Sequence, residues 1–112
     1  MAHDEERSSA GPLRLVVMRG PDEVTVFVVG HLDLATGRRL RDRIEDVLAT
    51  RPASITIDAS GLTFVDSSGL GALLSARHAA MTEAGVAFRV VDPSPALQAI
   101  TEMTGFEKLL GG

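Results

Sequence analysis

Residues 63–74, with the sequence TFVDSSGLGALL, decide the fold of this 112-residue chain. They follow a strand-like run at residues 54–57 and begin a segment in which apolar residues recur at helical spacing. Polar and small residues at the start of a helix indicate a functional site instead of a position packed in the core. The Asp-Ser-Ser-Gly sequence at 66–69 combines two hydroxyls and backbone N–H groups with the positive end of a helix dipole. Such a place accommodates a phosphate group at low electrostatic cost.

Composition narrows the class of protein. The length indicates one domain, and 45% hydrophobic with 23% charged residues is typical of a soluble, folded protein. The net charge of −4 does not favour direct nucleic-acid binding, and the absence of Cys excludes disulfides and thiol catalysis. The sequence contains neither an apolar run long enough for a membrane span nor a signal peptide, so we expect a cytoplasmic protein without a membrane association.

Turn signals and hydrophobic spacing predict the elements before the motif. Runs of β-branched residues at 13–18 and 24–29 flank the turn sequence Gly20-Pro21-Asp22, which predicts a hairpin. Asp33 precedes an amphipathic helical pattern and is predicted to be its N-cap. The apolar side of this helix is predicted to comprise Leu40, Ile44, Val47 and Leu48.

The remaining elements follow from the same signals. We predict a strand at 55–57, a loop through 58–66, a second helix ending near 83–85, and a strand at 86–91. A third helix opened by prolines ends at Gly105, and residues 106–110 form a brief strand or turn. We expect Met18, Met81 and Met103 to fill gaps in the core.

The resulting order, ββαβαβα, predicts an α/β fold in a single domain at 12–112, after a flexible tail at 1–11. It has a mainly parallel sheet of four to five strands, an N-terminal β-hairpin and three or more helices. Ligands of such sheets bind where the carboxyl ends of the strands gather. We therefore expect three polar loops to converge on one edge: the one with His31 and Asp33, and those at 58–68 and 92–94.

The motif DSSGLGALL at 66–74 after a short strand, together with GHLDLAT at 30–36, resembles the STAS domain family. Within it, the chain is most similar to the bacterial anti-sigma-factor antagonists. The similarity extends over about residues 13–110, and Pro95-Ala96 after the last clear strand also fits the family pattern. The resemblance implies a STAS-like fold and a small regulatory protein without catalytic activity, cofactor or metal.

Function and site residues are also implied by this resemblance. Members of this type bind a serine-kinase anti-sigma factor when unphosphorylated and so release a sigma factor in transcription regulation. The kinase ends the interaction by phosphorylating a serine, which corresponds here to Ser67, and a PP2C-type phosphatase restores binding. The partner-binding residues would be Asp33, Asp66, Ser67, Ser68 and Gly69. We expect a monomer.

Other interpretations of the same residues remain open. Ser67 or Ser68 is an N-cap when judged from the residues alone, and Ser68 is the alternative phosphate acceptor. Asp33 serves equally well as a plain cap or as a partner contact. Gly69 and Gly71 indicate close packing of the helix start, since no phosphate-loop motif is present.

Three alternative interpretations, a metal site, an enzyme and a docking subunit, use the same residues and motifs. Asp58 and Asp66 resemble a pair of Mg²⁺ ligands. Ser67 with His31 would serve a small hydrolase or nucleotide-binding enzyme, although no Gly-x-Ser-x-Gly elbow is present and His31 is more typical of a solvated loop residue. The third is a STAS docking subunit of an ABC-type membrane transport complex, without a phosphorylation switch.

Overall fold

The structure is a computed structural model and describes residues 13–111. Within them lie β1 (Leu13–Arg19), β2 (Glu23–Leu32), α1 (Leu34–Leu48), β3 (Ser54–Asp58), β4 (Leu62–Val65), α2 (Ser67–His78), β5 (Ala87–Val91) and α3 (Pro95–Thr104). A π-helical turn at Ala79–Glu83 extends α2, and a 3-10 turn at Glu107–Leu110 follows α3, which confirms the turn alternative for that segment. The predicted tail at 1–11 and the domain boundary at residue 12 lie outside the described residues.

The strands form one mixed sheet in which only β1 runs antiparallel. β1 and β2 form the predicted hairpin, closed by a 2.8 Å hydrogen bond from Gly20 N to the Glu23 carbonyl. The sheet order is β1-β2-β3-β5, and β3 pairs with the first half of β2. β4 pairs in parallel with the last residues of β2. These pairings confirm the predicted α/β fold with a mainly parallel sheet.

The register of β2 shifts at Gly30, where β4 begins to pair with it. Gly30 has a φ of 108°, which glycine adopts without steric cost, and its N–H donates to the Gly61 carbonyl at 2.9 Å. The shift lets β4 continue along β2 beyond the end of β3. The carboxyl ends of β2 and β4 are therefore neighbours.

β4 corrects the prediction of an uninterrupted loop at 58–66. The strand has only four residues, and its two central ones, Thr63 and Phe64, are exposed. So short a segment has no usable alternation of its own. It forms a strand because the last residues of β2, which lie beyond the end of β3, pair with it.

The core lies between one face of the sheet and the helices. Alternate residues of β2, β3 and β5 are buried, while their neighbours on the other face stay partly exposed. Burial of each aliphatic side chain stabilises the fold by about 1.5–3 kcal/mol. The predicted apolar side of α1 is confirmed for Leu40, Ile44 and Val47, and Leu97 of α3 is buried as well. Among residues 13–111, no helix is long and apolar enough to cross a membrane.

The prediction that three methionines fill the core is wrong. Met18, Met81 and Met103 are 58%, 45% and 79% exposed. Met18 alternates with the inward-facing residues of β1 and so lies on the outer face of the sheet. Met81 lies in the π-helical turn, whose wider spacing shifts the helical phase. Met103 lies on the outer side of α3, opposite Leu97.

Candidate functional site

Two helices begin side by side at one edge of the sheet. Leu32 and Val65, the last residues of β2 and β4, are register partners, and Asp66 N donates to the Leu32 carbonyl at 3.3 Å. The residues that follow these strand ends, Asp33 and Asp66, each begin a helix. The five residues predicted for the site (Asp33, Asp66, Ser67, Ser68 and Gly69) all lie in these two adjoining strand-to-helix junctions.

Asp66 is the N-cap of α2. Its backbone is extended, with φ −106° and ψ −174°, and its side-chain Oδ1 accepts from Gly69 N at 2.8 Å. The prediction that Ser67 or Ser68 is the cap is therefore wrong. Both serines already have helical backbone, because β4 ends at Val65 and leaves Asp66 as the linking residue.

Ser67 and Ser68 occupy the first two positions of α2, and both are exposed. Within the described part of the chain, neither hydroxyl takes part in a hydrogen bond. Their backbone N–H groups also lack acceptors in this part of the chain. The Asp66 side chain accepts from Gly69 N, and the Asp66 carbonyl accepts from Leu70 N. Two unbonded hydroxyls thus lie beside two N–H groups at the positive end of the helix dipole. This arrangement can receive an anion.

Gly69 allows α2 to start directly against the backbone of β2. A Cβ atom at this position would lie 2.0 Å from the carbonyl oxygen of Leu32 and 2.6 Å from its carbonyl carbon. The prediction of close packing is therefore confirmed for Gly69. The same prediction is wrong for Gly71, where an added Cβ would meet nothing within 4 Å.

Asp33 is the N-cap of α1, as predicted, and forms a reciprocal box with Thr36. The Asp33 Oδ1 accepts from Thr36 N at 3.0 Å, and Asp33 N donates to the Thr36 Oγ1 at 2.9 Å. Thr36 is fully buried, so its side of the capping box is shielded from water. The role of Asp33 as a partner contact stays a prediction.

His31 is not the solvated loop residue that the sequence indicates. It belongs to β2, is partly buried, and its ring lies 5.5 Å from the ring of Phe64, tilted by 53°. In residues 13–111 no hydrogen bond joins it to the Ser67 hydroxyl, so the serine has no base paired with it. β2 is longer than predicted because β4 pairs with its last residues.

Asp58 and the loop at 92–94 do not reach this site; Ser94 N donates to the carbonyl of Ala59, next to Asp58, at 3.2 Å. Asp58 pairs in register with Phe27, which lies roughly 20 Å before Asp33 at about 3.3 Å per strand residue. Its Oδ1 accepts from Ser60 N at 3.0 Å and from Ser60 Oγ at 2.7 Å. The predicted convergence is therefore confirmed for the loop with Asp33 and for the Asp66 end of the loop at 58–68, and it is wrong for Asp58 and for the loop at 92–94. No group of three or more His, Asp or Glu that could hold a metal occurs in the described chain.

Two exposed apolar residues flank the site and were missed in the sequence. Leu34, at the first position of α1, is 79% exposed, and Phe64, near the end of β4, is 45% exposed. Leu34 was hidden because it fits the apolar spacing of α1, yet Thr36 and Gly37 occupy the buried positions at that end.

Comparisons with known proteins agree with this geometry. A family model described as "Mlab, STAS domain" matches residues 16–111. A STAS-domain containing protein of Pseudomonas aeruginosa is 33% identical over 88 residues, which cover 78% of this chain and 84% of that protein. An anti-sigma F factor antagonist of Paenibacillus polymyxa is 29% identical over 86 residues, covering 76% of this chain and 73% of the relative.

A solved structure shows the same architecture. The crystal structure of an anti-sigma factor antagonist from Mycobacterium paratuberculosis superposes with a TM-score of 0.75 at 28% identity, covering 88% of this chain and 82% of that one. The motif, the fold and the family model agree. The chain belongs to the STAS domain family.

Proposed function

We propose that this chain is an anti-sigma-factor antagonist with a phosphorylation switch at Ser67. Unphosphorylated, it binds a serine-kinase anti-sigma factor in the cytoplasm and so releases a sigma factor. Phosphorylation of Ser67 by that kinase ends the interaction, and a PP2C-type phosphatase restores it. Similarity to proteins named anti-sigma-factor antagonists supports the general function. The geometry at the start of α2 supports the switch.

One observation carries the proposal: the Ser67 hydroxyl is exposed and unbonded, while Asp66 caps the helix. A kinase can therefore modify Ser67 without breaking an interaction of the fold. A phosphoserine carries about −1.5 to −2 charges at neutral pH. The N–H groups of Ser67 and Ser68 and the helix dipole are positioned to stabilise this charge. We expect the phosphorylated domain to stay folded.

The phosphate changes the affinity for the partner protein and not the fold of this domain. Asp66 and Asp33 already place two carboxylates at this edge. An interface fitted to a neutral hydroxyl would have to desolvate a dianion next to them, which costs several kcal/mol unless cations face it. Since about 1.4 kcal/mol corresponds to a tenfold change in affinity, a loss of roughly 100-fold or more follows. No large conformational change is needed.

Ser68 is the control for this assignment. It has the same exposure class and the same lack of hydrogen bonds as Ser67. The choice of Ser67 rests on its position directly after Asp66 in the family motif. Replacing the two serines separately with Ala, and separately with Asp, tests that choice.

The test is a binding titration with the serine kinase that co-purifies with the Ser67→Ala chain from its native host. We expect Ser67→Ala to stay bound to the kinase because it cannot be phosphorylated, and Ser68→Ala to be switched normally. The chain phosphorylated on Ser67 should bind at least about 100-fold more weakly, and Ser67→Asp, which adds a single charge, at least about tenfold more weakly. Equal affinity of Ser67→Asp and the unmodified chain contradicts the switch. Co-purification with a membrane-associated ATPase complex, indifferent to Ser67→Asp, would instead support the transport subunit.

A further inference from the structure

An aromatic side chain is exposed three residues before the proposed phosphate acceptor. Phe64, in β4, is 45% exposed, whereas Val65 after it is buried. Phe64 and His31 are register partners in β4 and β2, and His31 likewise precedes a buried residue, Leu32. The two rings therefore lie on the outer face of the sheet, opposite the helices. They lie at the end of the sheet from which α2 starts.

The ring of Phe64 packs against the ring of His31. The two centroids are 5.5 Å apart and the ring planes are tilted by 53°, which is a favourable geometry for an aromatic pair. His31 is itself partly buried, and its backbone pairs with β4. A side chain that already has such a contact loses less conformational freedom when a partner covers it. Phe64 thus offers exposed aromatic area at a reduced entropic cost.

Phe64 lies inside the area that a standard interface at Ser67 covers. Three Cα–Cα steps of about 3.8 Å separate the two residues, so their Cα atoms are at most about 11 Å apart. One side of a standard interface covers about 800 Å², which corresponds to a disc with a radius of about 16 Å. A partner protein that is centred on Ser67 therefore covers Phe64 as well.

Other residues in this area do not offer the same contact. Leu34 is 79% exposed, so few neighbours hold its side chain. Ser67 and Ser68 present only small polar groups. Aromatic residues are enriched among those that carry most of the affinity of an interface, whereas leucine and serine are under-represented. Phe64 therefore has the best combination of position, exposed apolar area and support.

We infer that Phe64 is the main apolar anchor by which the anti-sigma factor binds this chain. Its ring, supported by His31, packs against an apolar side chain of that partner, beside the place where the partner covers Ser67. This inference rests on the proposed function, because the partner is the same protein.

The anchor also adds to the switch. An apolar contact beside Ser67 excludes water from the hydroxyl, and exclusion of water raises the cost of placing a charge there. The partner group that faces Phe64 is apolar, so it supplies no cation to a phosphate. The two positions are therefore coupled, and the effect of a charge on Ser67 depends on the presence of the ring.

Binding titrations with the serine kinase that co-purifies with the Ser67→Ala chain compare Phe64→Ala with a matched control, Met18→Ala. Met18 is 58% exposed on the same outer face. Its register partner Thr25 lies about 20 Å before His31 along β2, so Met18 is outside the covered area. We expect Phe64→Ala to bind at least about tenfold more weakly, and Met18→Ala to stay within about threefold of the unmodified chain. Equal affinities of Phe64→Ala and the unmodified chain would overturn the inference.

Thermal denaturation and a second variant separate binding from folding. Phe64→Leu keeps an apolar side chain at this position but lacks the aromatic ring. We expect Phe64→Leu to melt close to the unmodified chain and to bind with an affinity between those of the unmodified chain and Phe64→Ala. If Phe64→Ala melts much lower, Phe64→Leu decides the question. An affinity at least about threefold weaker supports the aromatic anchor, and an unchanged affinity overturns it.

A double-mutant cycle with Ser67→Asp tests the coupling between the ring and the switch. Ser67→Asp should weaken binding by a smaller factor in the Phe64→Ala chain than in the chain that retains Phe64. Equal factors in the two chains would overturn the role of the ring in the switch.

The proposed function and this inference fail in different ways. If the unmodified chain binds no serine kinase, the proposed function fails and the inference fails with it. If the unmodified chain binds such a kinase and is phosphorylated on Ser67, while Phe64→Ala binds equally well, only the inference fails.

Discussion

Replacing Gly69 with Ala tests whether the site is built on direct contact between α2 and β2. The added Cβ would lie 2.0 Å from the Leu32 carbonyl oxygen, and real Cβ atoms essentially never approach closer than 3.0 Å. The opposing atoms are backbone, so no side-chain rotation relieves the overlap. The start of α2 must therefore move away from β2 by about 1 Å.

The cost of this movement can be estimated from the contacts it disturbs. A shift of about 1 Å breaks the 3.3 Å hydrogen bond from Asp66 N to the Leu32 carbonyl, which contributes about 1 kcal/mol. Overpacking adds about 1–3 kcal/mol. The sum, about 2–4 kcal/mol, corresponds to a fall in melting temperature of roughly 8–16 °C at about 4 °C per kcal/mol for a domain of this size.

Gly71→Ala is the matched control, two residues further along α2. Nothing lies within 4 Å of its added Cβ, and Ala is favoured over Gly inside a helix by about 0.5–1 kcal/mol. In thermal denaturation followed by circular dichroism, we expect Gly71→Ala to melt a few degrees higher than the unmodified chain. A Gly69→Ala variant that melts within about 2 °C of the unmodified chain would refute the reasoning.

Three further predictions concern the helix starts. Asp66→Ala should lower the free energy of unfolding by about 1 kcal/mol, because Gly69 N loses its acceptor, and Asp66→Asn should recover most of it in urea titrations. Ser67→Ala and Ser68→Ala should each change this free energy by less than about 0.5 kcal/mol, since their hydroxyls are unbonded; a larger loss would mean that the hydroxyls support the fold. Thr36→Val should cost about 1–3 kcal/mol in the same titrations, since its buried hydroxyl bonds the His31 carbonyl at 2.9 Å, and a neutral result would dismiss the reciprocal box.

The sequence predicts those features that depend on neighbouring residues. Asp33 is recognisable as an N-cap because the helical pattern begins directly after it, and the structure confirms its bond to Thr36 N. The hairpin turn is likewise local, and so is the end of α3 at Gly105, which has a φ of 81°. The meeting of parallel strand ends at one edge also predicts that Asp33 and Asp66 adjoin, although the strand that leads to Asp66 is the unpredicted β4.

The features that the sequence does not predict depend on distant parts of the chain. β4 exists because the register shift at Gly30 exposes the end of β2 to a second partner strand. The cap of α2 is Asp66 instead of Ser67 because β4 ends at Val65. Hydrophobic spacing locates an apolar face but does not decide whether anything covers it, so the exposure of Leu34 appears only in the structure.

Mapping of phosphorylation sites by mass spectrometry tests the proposed switch most directly. The full chain is isolated from its native host under resting and stressed conditions, and the occupancy of each serine is measured. We expect a phosphate on Ser67 whose occupancy changes between the two conditions, with Ser68 unmodified. A chain that carries no phosphate on Ser67 in either condition would contradict the switch.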